Sequence, residues 1–536
     1  MSADPRHFRV LADQIVDDLL AASPTRAYYA GDHRFDDRLP DYSDDAVRQQ
    51  VQLLRRRSDQ LAEVDDTRLE PEEDVDRQLL ESVVDAELFE LTEVEERTWN
   101  PLLHNQGELF FGLLVRESAE PATRLEALTG RLTALPDALE TARRVLDDCP
   151  RVHIETAIGQ LDGTTALIRD ELPVLLEREP GQASTVGPAR ERALAALDGF
   201  RRYLQRLLPS AGRDPRIGRR LYEARLWHAL DTELSAGRVL DRAYAELDRM
   251  TAEITEAAQE LTGTPDVRAA LDLLAQEHPD DDTIVGKAAR TLAETTAFVR
   301  ERDLVTVPDD PIEVIVMPEY ARGVAVAYCD PPGPLEPAPV PTFYAISPTP
   351  GSWSAERVES FYREYNDHMI SNLSVHEAMP GHYLQLAHAR RFRGSTRART
   401  VCESGTFIEG WAVYAEELMA RAGFGGLPVR LQQLKMQLRM IINAILDQQV
   451  HCDGMTETEA MRLMTDRGFQ EEGEAAGKWR RALLTSTQLS TYFVGYTETA
   501  AIARARGGSR RPRDWHDAML AHGSPSPRHL RRLLGV

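Results

Sequence analysis

The chain reads as a mainly α-helical protein that carries a small β-sheet. Three observations predict this. Between residues 121 and 276 apolar positions recur at helical spacing over long stretches. Between 309 and 350 the texture changes and three β-rich runs cluster. After 350 the helical pattern resumes, interrupted by the short polar sequence His376-Glu377-Ala378-Met379-Pro380-Gly381-His382.

Composition sets the outer limits. A chain of 536 residues can bury a large core, and two regions are expected: a helical N-terminal lobe over 1–305 that covers a cleft, and a catalytic region over 306–536. With 63 basic against 87 acidic residues the net charge is −24, which argues against a phosphate-backbone ligand, so no nucleic-acid partner is expected. Cys149, Cys329, Cys402 and Cys452 are far apart with no C-x-x-C pair, a pattern that fits reduced thiols and opposes a thiolate zinc cluster. Residues 1–24 intersperse Asp4, Arg6, Arg9, Asp13, Asp17 and Asp18 with apolar positions, so they lack the apolar core of a secretory signal. No run reaches the roughly 18 apolar residues that span a bilayer. A cytoplasmic protein without membrane contact is the expectation.

The elements follow in order. Phe8 to Leu20 has helical periodicity, Tyr28 to Ser43 reads as a loop, and Ser43 followed by Asp44 and Asp45 is an N-cap signal. Residues 44–98 are helical with a break near Pro71, and Leu109 to Leu113 is a buried helix-packing patch. The long helices of 121–276 are expected to be punctuated at Pro136, Pro150, Pro173, Pro180 to Pro188, Pro209 to Pro215 and Gly263 to Pro265. Ile312 to Pro318, Gly323 to Tyr328 and Thr342 to Ile346 are the predicted strands, with Tyr328, Phe343 and Tyr344 as aromatics that either line a cleft or pack in the core. Ser354 to Met369 is predicted as one helix, followed by helices over 403–417, 427–451 and 479–505, the last ending near Gly507-Gly508. Thr456 with Glu459 forms a capping-box signal, and a short helix is expected around Trp515 to Ala521.

The polar sequence places two imidazoles and a carboxylate within seven residues. In the zinc-protease pattern H-E-x-x-H the histidines lie four apart and share a helix face. Here they lie six apart, so an ideal helix would turn them by about 240° and they would not meet. Pro380 opposes a regular helix, because its ring would clash with the carbonyl of His376, four residues back. A kink or bulge at Pro380-Gly381 would let His376 and His382 converge on one divalent ion. The alternative is a capping loop whose histidines are merely hydrogen-bonded. A catalytic zinc commonly takes three protein ligands. Glu409 is the candidate third, because it sits in the apolar and small-residue run Phe407-Ile408-Glu409-Gly410-Trp411, where an unpaired carboxylate would be costly. Glu377 is then placed to take a proton from activated water.

The sequence His-Glu-Ala-Met-Pro-Gly-His-Tyr-Leu-Gln, with Phe407 to Ala412 and Tyr414-Ala415-Glu416, resembles the bacterial domain-of-unknown-function family numbered 885, over nearly the whole chain. That family is similar to helical zinc metallopeptidases such as the angiotensin-converting-enzyme, oligopeptidase and thermostable-carboxypeptidase groups. The resemblance implies a helical zincin-like fold with a sheet beside the cleft. By position it implies zinc ligands His376, His382 and Glu409 with Glu377 as base. It implies Tyr492 as oxyanion donor, with Tyr496 as the alternative one turn on, and marks His451, one turn after Asp447, either as an imidazole oriented toward the site or as part of a surface pair. Arg439 is a candidate for a substrate carboxylate. Relatives often carry a second histidine where this chain has Tyr383, so Tyr383 bears on substrate binding. The function this suggests is zinc-dependent hydrolysis of a peptide or other amide bond in a small-molecule or short-peptide substrate. Two other readings stand beside it: a metal-dependent biosynthetic enzyme that rearranges, eliminates or cyclises an amino-acid-derived molecule, and a non-catalytic binding protein.

Overall fold

A computed structural model describes residues 5–318, 322, 325–351, 353–506 and 511–536. It is mainly helical, with a single three-stranded sheet among the described residues. The chain divides into two compact units: Met1–Pro215 with Pro332–Val340 and Gly394–Cys402, and the remainder from Arg216.

The first unit is built from helices that include Pro5–Ala22, Asp44–Ala62, Pro71–Phe89, Gly107–Val115, Pro121–Val145, Arg151–Glu177 and Ala183–Leu207. Ser43 caps its helix as predicted, accepting the N–H of Ala46, and Pro71 opens the next one from its first turn, where a missing N–H costs nothing. Tyr28 to Ala30, expected in a loop, are helical. Ser23 caps Pro24–Ala30 and Gly31, at φ +75°, ends it. Pro136, Pro173 and Pro188 lie inside helices instead of ending them. Neighbouring residues such as Leu132, Leu135, Leu139, Leu172 and Leu175 are buried, and that burial outweighs the roughly 3 kcal/mol an interior proline costs. The Pro-rich loop 332–340 belongs to this unit. Leu335 donates its N–H to the Ala30 carbonyl at 2.7 Å, and Gly333 lies so close to the Tyr29–Gly31 backbone that a β-carbon has no room.

The second unit begins at Arg216, not at the expected 306. The reason is the helix Ala236–Thr262, whose Val239, Leu247, Met250 and Ile254 share a core with Leu434, Leu438, Ile441 and Ile445 of the later helix Gly426–Asp453. The change of texture near 309 marks the first strand and no boundary. A second core gathers Ile284 and Val299, the sheet, and the helices around the polar sequence.

The strands are β1 (Ile312–Val316), β2 (Ala327–Asp330) and β3 (Thr342–Ile346), in spatial order β1-β3-β2. β3 pairs parallel to β1, with Ile312 opposite Thr342, and antiparallel to β2, with Tyr328 opposite Ala345. β2 starts four residues later than predicted. Residues 323 and 324 of that prediction lie outside the described residues, as do Gly507 and Gly508.

Six helices position the site: α1 (Asp367–Glu377), α2 (His382–Ala389), α3 (Gly405–Arg421), α4 (Gly426–Asp453), α5 (Glu472–Leu484) and α6 (Gln488–Arg506). The single helix expected over 354–369 is two. Ser354 caps Ala355–Glu364, and Asn366 accepts the N–H groups of His368 and Met369 to start α1. The helix expected over 479–505 also divides, at 485–487. The Thr456 capping box is present. α3 and α6 cross at a glycine pair: a β-carbon on Gly410 would meet the Gly495 backbone, and one on Gly495 would land on the Thr406 carbonyl. The backbones therefore approach closely one residue after Glu409 and three after Tyr492.

Two outcomes follow from these contacts. Gly495→Ala should lower stability in urea denaturation by about 1–3 kcal/mol, the usual cost of overpacking. The second concerns His33 in the first unit, whose imidazole bridges Asp36 at 2.8 Å and Glu336 at 3.0 Å. Those two carboxylates hold its pKa up at about 10 against an ordinary 6.5. This stabilisation is complete below the unfolded value and is lost as pH rises through about 10. The melting-temperature advantage over His33→Gln should shrink across that interval and be largest on its acid side.

Candidate metal centre

The predicted break in the helix is present. α1 ends at Glu377, and Ala378 leaves helical geometry at φ −126° and ψ −79°. Ala378 and Met379 both donate to the Ser374 carbonyl, and Gly381 donates to Val375 at 2.9 Å. The Met379–Pro380 peptide is cis. Gly381 lies against the Val375 and His376 carbonyls, where any β-carbon would collide, and it serves as N-cap of α2. The indole N–H of Trp411 on α3 donates to the Pro380 carbonyl at 2.8 Å, which ties the loop to the helix that carries Glu409.

This break brings the two imidazoles together, their ring centroids 4.7 Å apart and their planes at 87°. Glu409 Oε2 stands 3.5 Å from His376 Nε2 and 3.5 Å from His382 Nε2. Tetrahedral coordination with bonds near 2.1 Å separates ligand atoms by about 3.4 Å, so the spacing suits one ion. All three ligand atoms lie within 4.8 Å of one another, and the group could hold a metal. Glu409 Oε2 is buried and makes no hydrogen bond. An orphaned carboxylate oxygen facing two imidazole nitrogens is the donor set a divalent cation requires.

The electrostatics of the pocket agree. Burial disfavours a charged imidazole at His376, but Glu409 and Glu416 outweigh it and hold the ring well above the usual histidine range. Burial also works against Glu409, and the two imidazoles still hold it far below the usual carboxylate range. The pocket is therefore arranged to carry positive charge at its centre. Burial raises Glu377, against the pull of His376 and His382, while the Cys329 N–H on edge strand β2 steadies its charged form.

Sequence reasoning missed the support behind His376. Glu416 Oε1 lies 2.7 Å from His376 Nδ1, and its other oxygen accepts from Asn372 at 2.6 Å. The bond to Nδ1 leaves Nε2 as the atom facing Glu409. Spacing could have revealed both residues. Glu416 lies seven after Glu409, two turns along α3, and Asn372 lies four before His376.

The remaining candidates divide. Tyr492 belongs beside the centre: burial and the charge of Glu409 raise its hydroxyl, which accepts from Gln488 Nε2 at 3.3 Å and from Arg481 at 3.4 Å. Tyr328 is half-buried on β2. The others are committed elsewhere. His451 Nε2 faces the carbonyls of Ala482 at 3.0 Å and Thr485 at 2.9 Å, Nδ1 accepts from Ile217, and the ring stacks on Tyr222. With both nitrogens bound to backbone it is a structural residue. Tyr496 donates to Glu417 at 2.8 Å. Fully buried Tyr344 pairs with Ser374 at 2.9 Å, pinning β3 to α1. Tyr383 donates to the Asp310 carbonyl, and burial holds its pKa up at about 12. Arg439 is paired with Glu474 and bonded to Tyr365, so it is not a free receptor for a carboxylate.

Replacing Glu416 by Gln keeps the shape but removes the charge behind His376. Metal affinity, read by competition with a chromogenic chelator, should fall about 10–100-fold. An unchanged affinity would show that this carboxylate does not support the site.

Comparisons with known proteins agree with the fold. Two solved structures, each described as a "putative lipoprotein", superpose over the whole length. One, from Shewanella oneidensis, has a TM-score of 0.81 and 27% identity, covering 100% of each chain. The other, from Colwellia psychrerythraea, has a TM-score of 0.82 and 16% identity, covering 100% of this chain and 99% of that one. Their descriptions overturn the cytoplasmic expectation and point away from that compartment; the composition of residues 1–24 is silent on location. Among the described residues no helix is long and apolar enough to cross a membrane. The M32 carboxypeptidase from Deinococcus radiodurans R1 matches at a TM-score of 0.38 and 11% identity, over 99% of this chain and 94% of that one, too loosely to bear on the reaction. No curated protein matches. Residues 24–534 match the family described as "Bacterial protein of unknown function (DUF885)", and the chain belongs to it.

Proposed function

We propose that this protein is a zinc-dependent hydrolase acting on a peptide or other amide bond of a small substrate. The observation that carries the reading is the convergence of His376, His382 and Glu409, with Glu377 next in sequence to the first ligand. His376, His382 and Glu409 would hold the ion with three protein ligands, the number typical of a catalytic zinc site, where a structural one takes four. When bound, the ion supplies Lewis acidity to water and to a carbonyl oxygen.

The residues of the chain do the rest. Glu377 is placed to take the proton of the attacking water and return it to the departing amine. Its 8% exposure keeps bulk water from competing for that proton. Tyr492 supplies the donor for the oxygen on which charge develops. Its oxygen already accepts from Gln488 and Arg481, so its own proton is free to point at the substrate. Glu416 holds His376 in one tautomer throughout.

Hydrolysis of dipeptides and N-acyl amino acids by purified protein should disappear with chelator and return with zinc. Glu377→Gln should keep its metal while kcat falls about 10²–10⁴-fold, the usual worth of a general base. Full activity in that variant would replace water activation by Lewis-acid chemistry alone.

A further inference from the structure

Next to Tyr492 the structure holds a cluster of cations in a chain whose net charge is −24. Along α5, Glu474, Lys478 and Arg481 lie on one face, at spacings of four and three. Opposite them α4 presents Lys435 and Arg439. One oxygen of Glu364 binds Lys435 at 2.9 Å and also accepts the Glu471 N–H, while its other oxygen makes no hydrogen bond and lies 4.0 Å from the Arg439 guanidinium; Glu474 binds Arg439 and the hydroxyl of Tyr365. Two carboxylates thus match two cations, and Lys478 and Arg481 are left over.

Lys478 is 5% exposed, and its ammonium makes no hydrogen bond or ion pair among the described residues. Among the described residues Arg481 bonds only neutral groups, Gln488 at 2.8 Å and the Tyr492 hydroxyl at 3.4 Å. A buried, unpaired ammonium is destabilising. Burial and the neighbouring guanidinium groups of Arg439 and Arg481 push Lys478 well below the usual lysine range. A protein with 24 more acids than bases could have paired it with a carboxylate and did not. Two of the chain's three lysines, Lys435 and Lys478, lie in this cluster.

We infer that Lys478 and Arg481 form a carboxylate subsite beside the metal centre, so that the substrate is an anion with a free carboxylate near its scissile amide. A carboxylate fits the observations because it is planar and singly charged. It can take one edge of the Arg481 guanidinium and the Lys478 ammonium together, while a dianion would be crowded by Glu474 and Glu364. Arg481 would then connect the bound carboxylate to the Tyr492 hydroxyl, so that occupancy of the subsite fixes the tyrosine. The inference rests on the hydrolase reading only for the bond to be cleaved.

The test reads binding. Hippurate and its uncharged counterpart hippuramide are titrated calorimetrically into the metal-loaded protein. Hippurate should bind at least about tenfold tighter, the worth of one charged hydrogen bond. The preference should fall to about twofold or less in Lys478→Met and return in Lys478→Arg. Arg481→Gln provides an independent variant on a more exposed side chain, and it should show the same loss. Equal binding of the two compounds by the wild type overturns the assignment. A preference that survives both substitutions also overturns it, because the carboxylate then sits on the metal. Hydrolysis is not the readout: if no amide is cleaved but the preference behaves as described, the hydrolase reading fails and the subsite stands.

Discussion

Everything at the candidate centre depends on the absence of a side chain at Gly381. The backbone there folds back onto the carbonyls of Val375 and His376, and even a methyl group would force the two segments apart. That contact ends α1, starts α2 and turns His382 toward His376 across a six-residue spacing that a continuous helix would not close. The loop is also held from outside by the Trp411 indole, two residues after Glu409 on α3. A second close contact, between Gly410 and Gly495, sets how near the helix of Glu409 lies to the helix of Tyr492. Two places where backbone meets backbone thus fix the positions of four side chains of the candidate centre.

Such an arrangement has an electrostatic cost, and the buried carboxylates show how it is met. Glu409 and Glu416 lie seven residues apart on one face of α3, both turned toward His376. Neither would stay charged in an apolar interior without a compensating cation or several donors. Glu416 has Asn372 and an imidazole nitrogen, and it is satisfied. Glu409 Oε2 has two nitrogens beyond hydrogen-bond reach and no donor. The contrast between neighbours on one helix separates a satisfied carboxylate from one left open to a cation, and no motif search makes that distinction.

The sequence was informative where a local rule decides the outcome. The caps at Ser43 and Thr456, the strand Thr342–Ile346 and the break at Pro380 all rest on chemistry within four residues of the feature. Glu409 was legible for the same reason, since a lone acid in an apolar run asks for a partner. Where long-range packing decides, local rules misled. Pro136, Pro173 and Pro188 stay helical because buried leucines hold the helices together. The unit boundary falls at 215 because Ala236–Thr262 packs with a helix some two hundred residues later. Of the two readings open for Tyr344, core packing holds, while Tyr383 and Tyr496, expected to bear on substrate, each found a hydroxyl partner away from the centre. Pairing decided these cases, and pairing is not visible one residue at a time.

The most instructive reassignment is that of Asp447 and His451. Their spacing of one helical turn suggested either an imidazole oriented toward the site or a surface pair, yet both are buried and hold the turn between α5 and α6. Asp447 is fully buried and accepts the N–H groups of Thr487 and Ser490 together with the Ser490 hydroxyl. His451 spans the carbonyls of Ala482 and Thr485. Between them Thr487 sits at φ +68°, a left-handed conformation that a β-branched residue adopts only when its surroundings enforce it. The bond from its N–H to Asp447 provides that enforcement. α6 begins one residue later, and Tyr492 lies on its second turn. The pair therefore acts on the site at one remove: it stores backbone strain to set where α6 starts, and through that start it sets where the Tyr492 hydroxyl lies relative to Glu409.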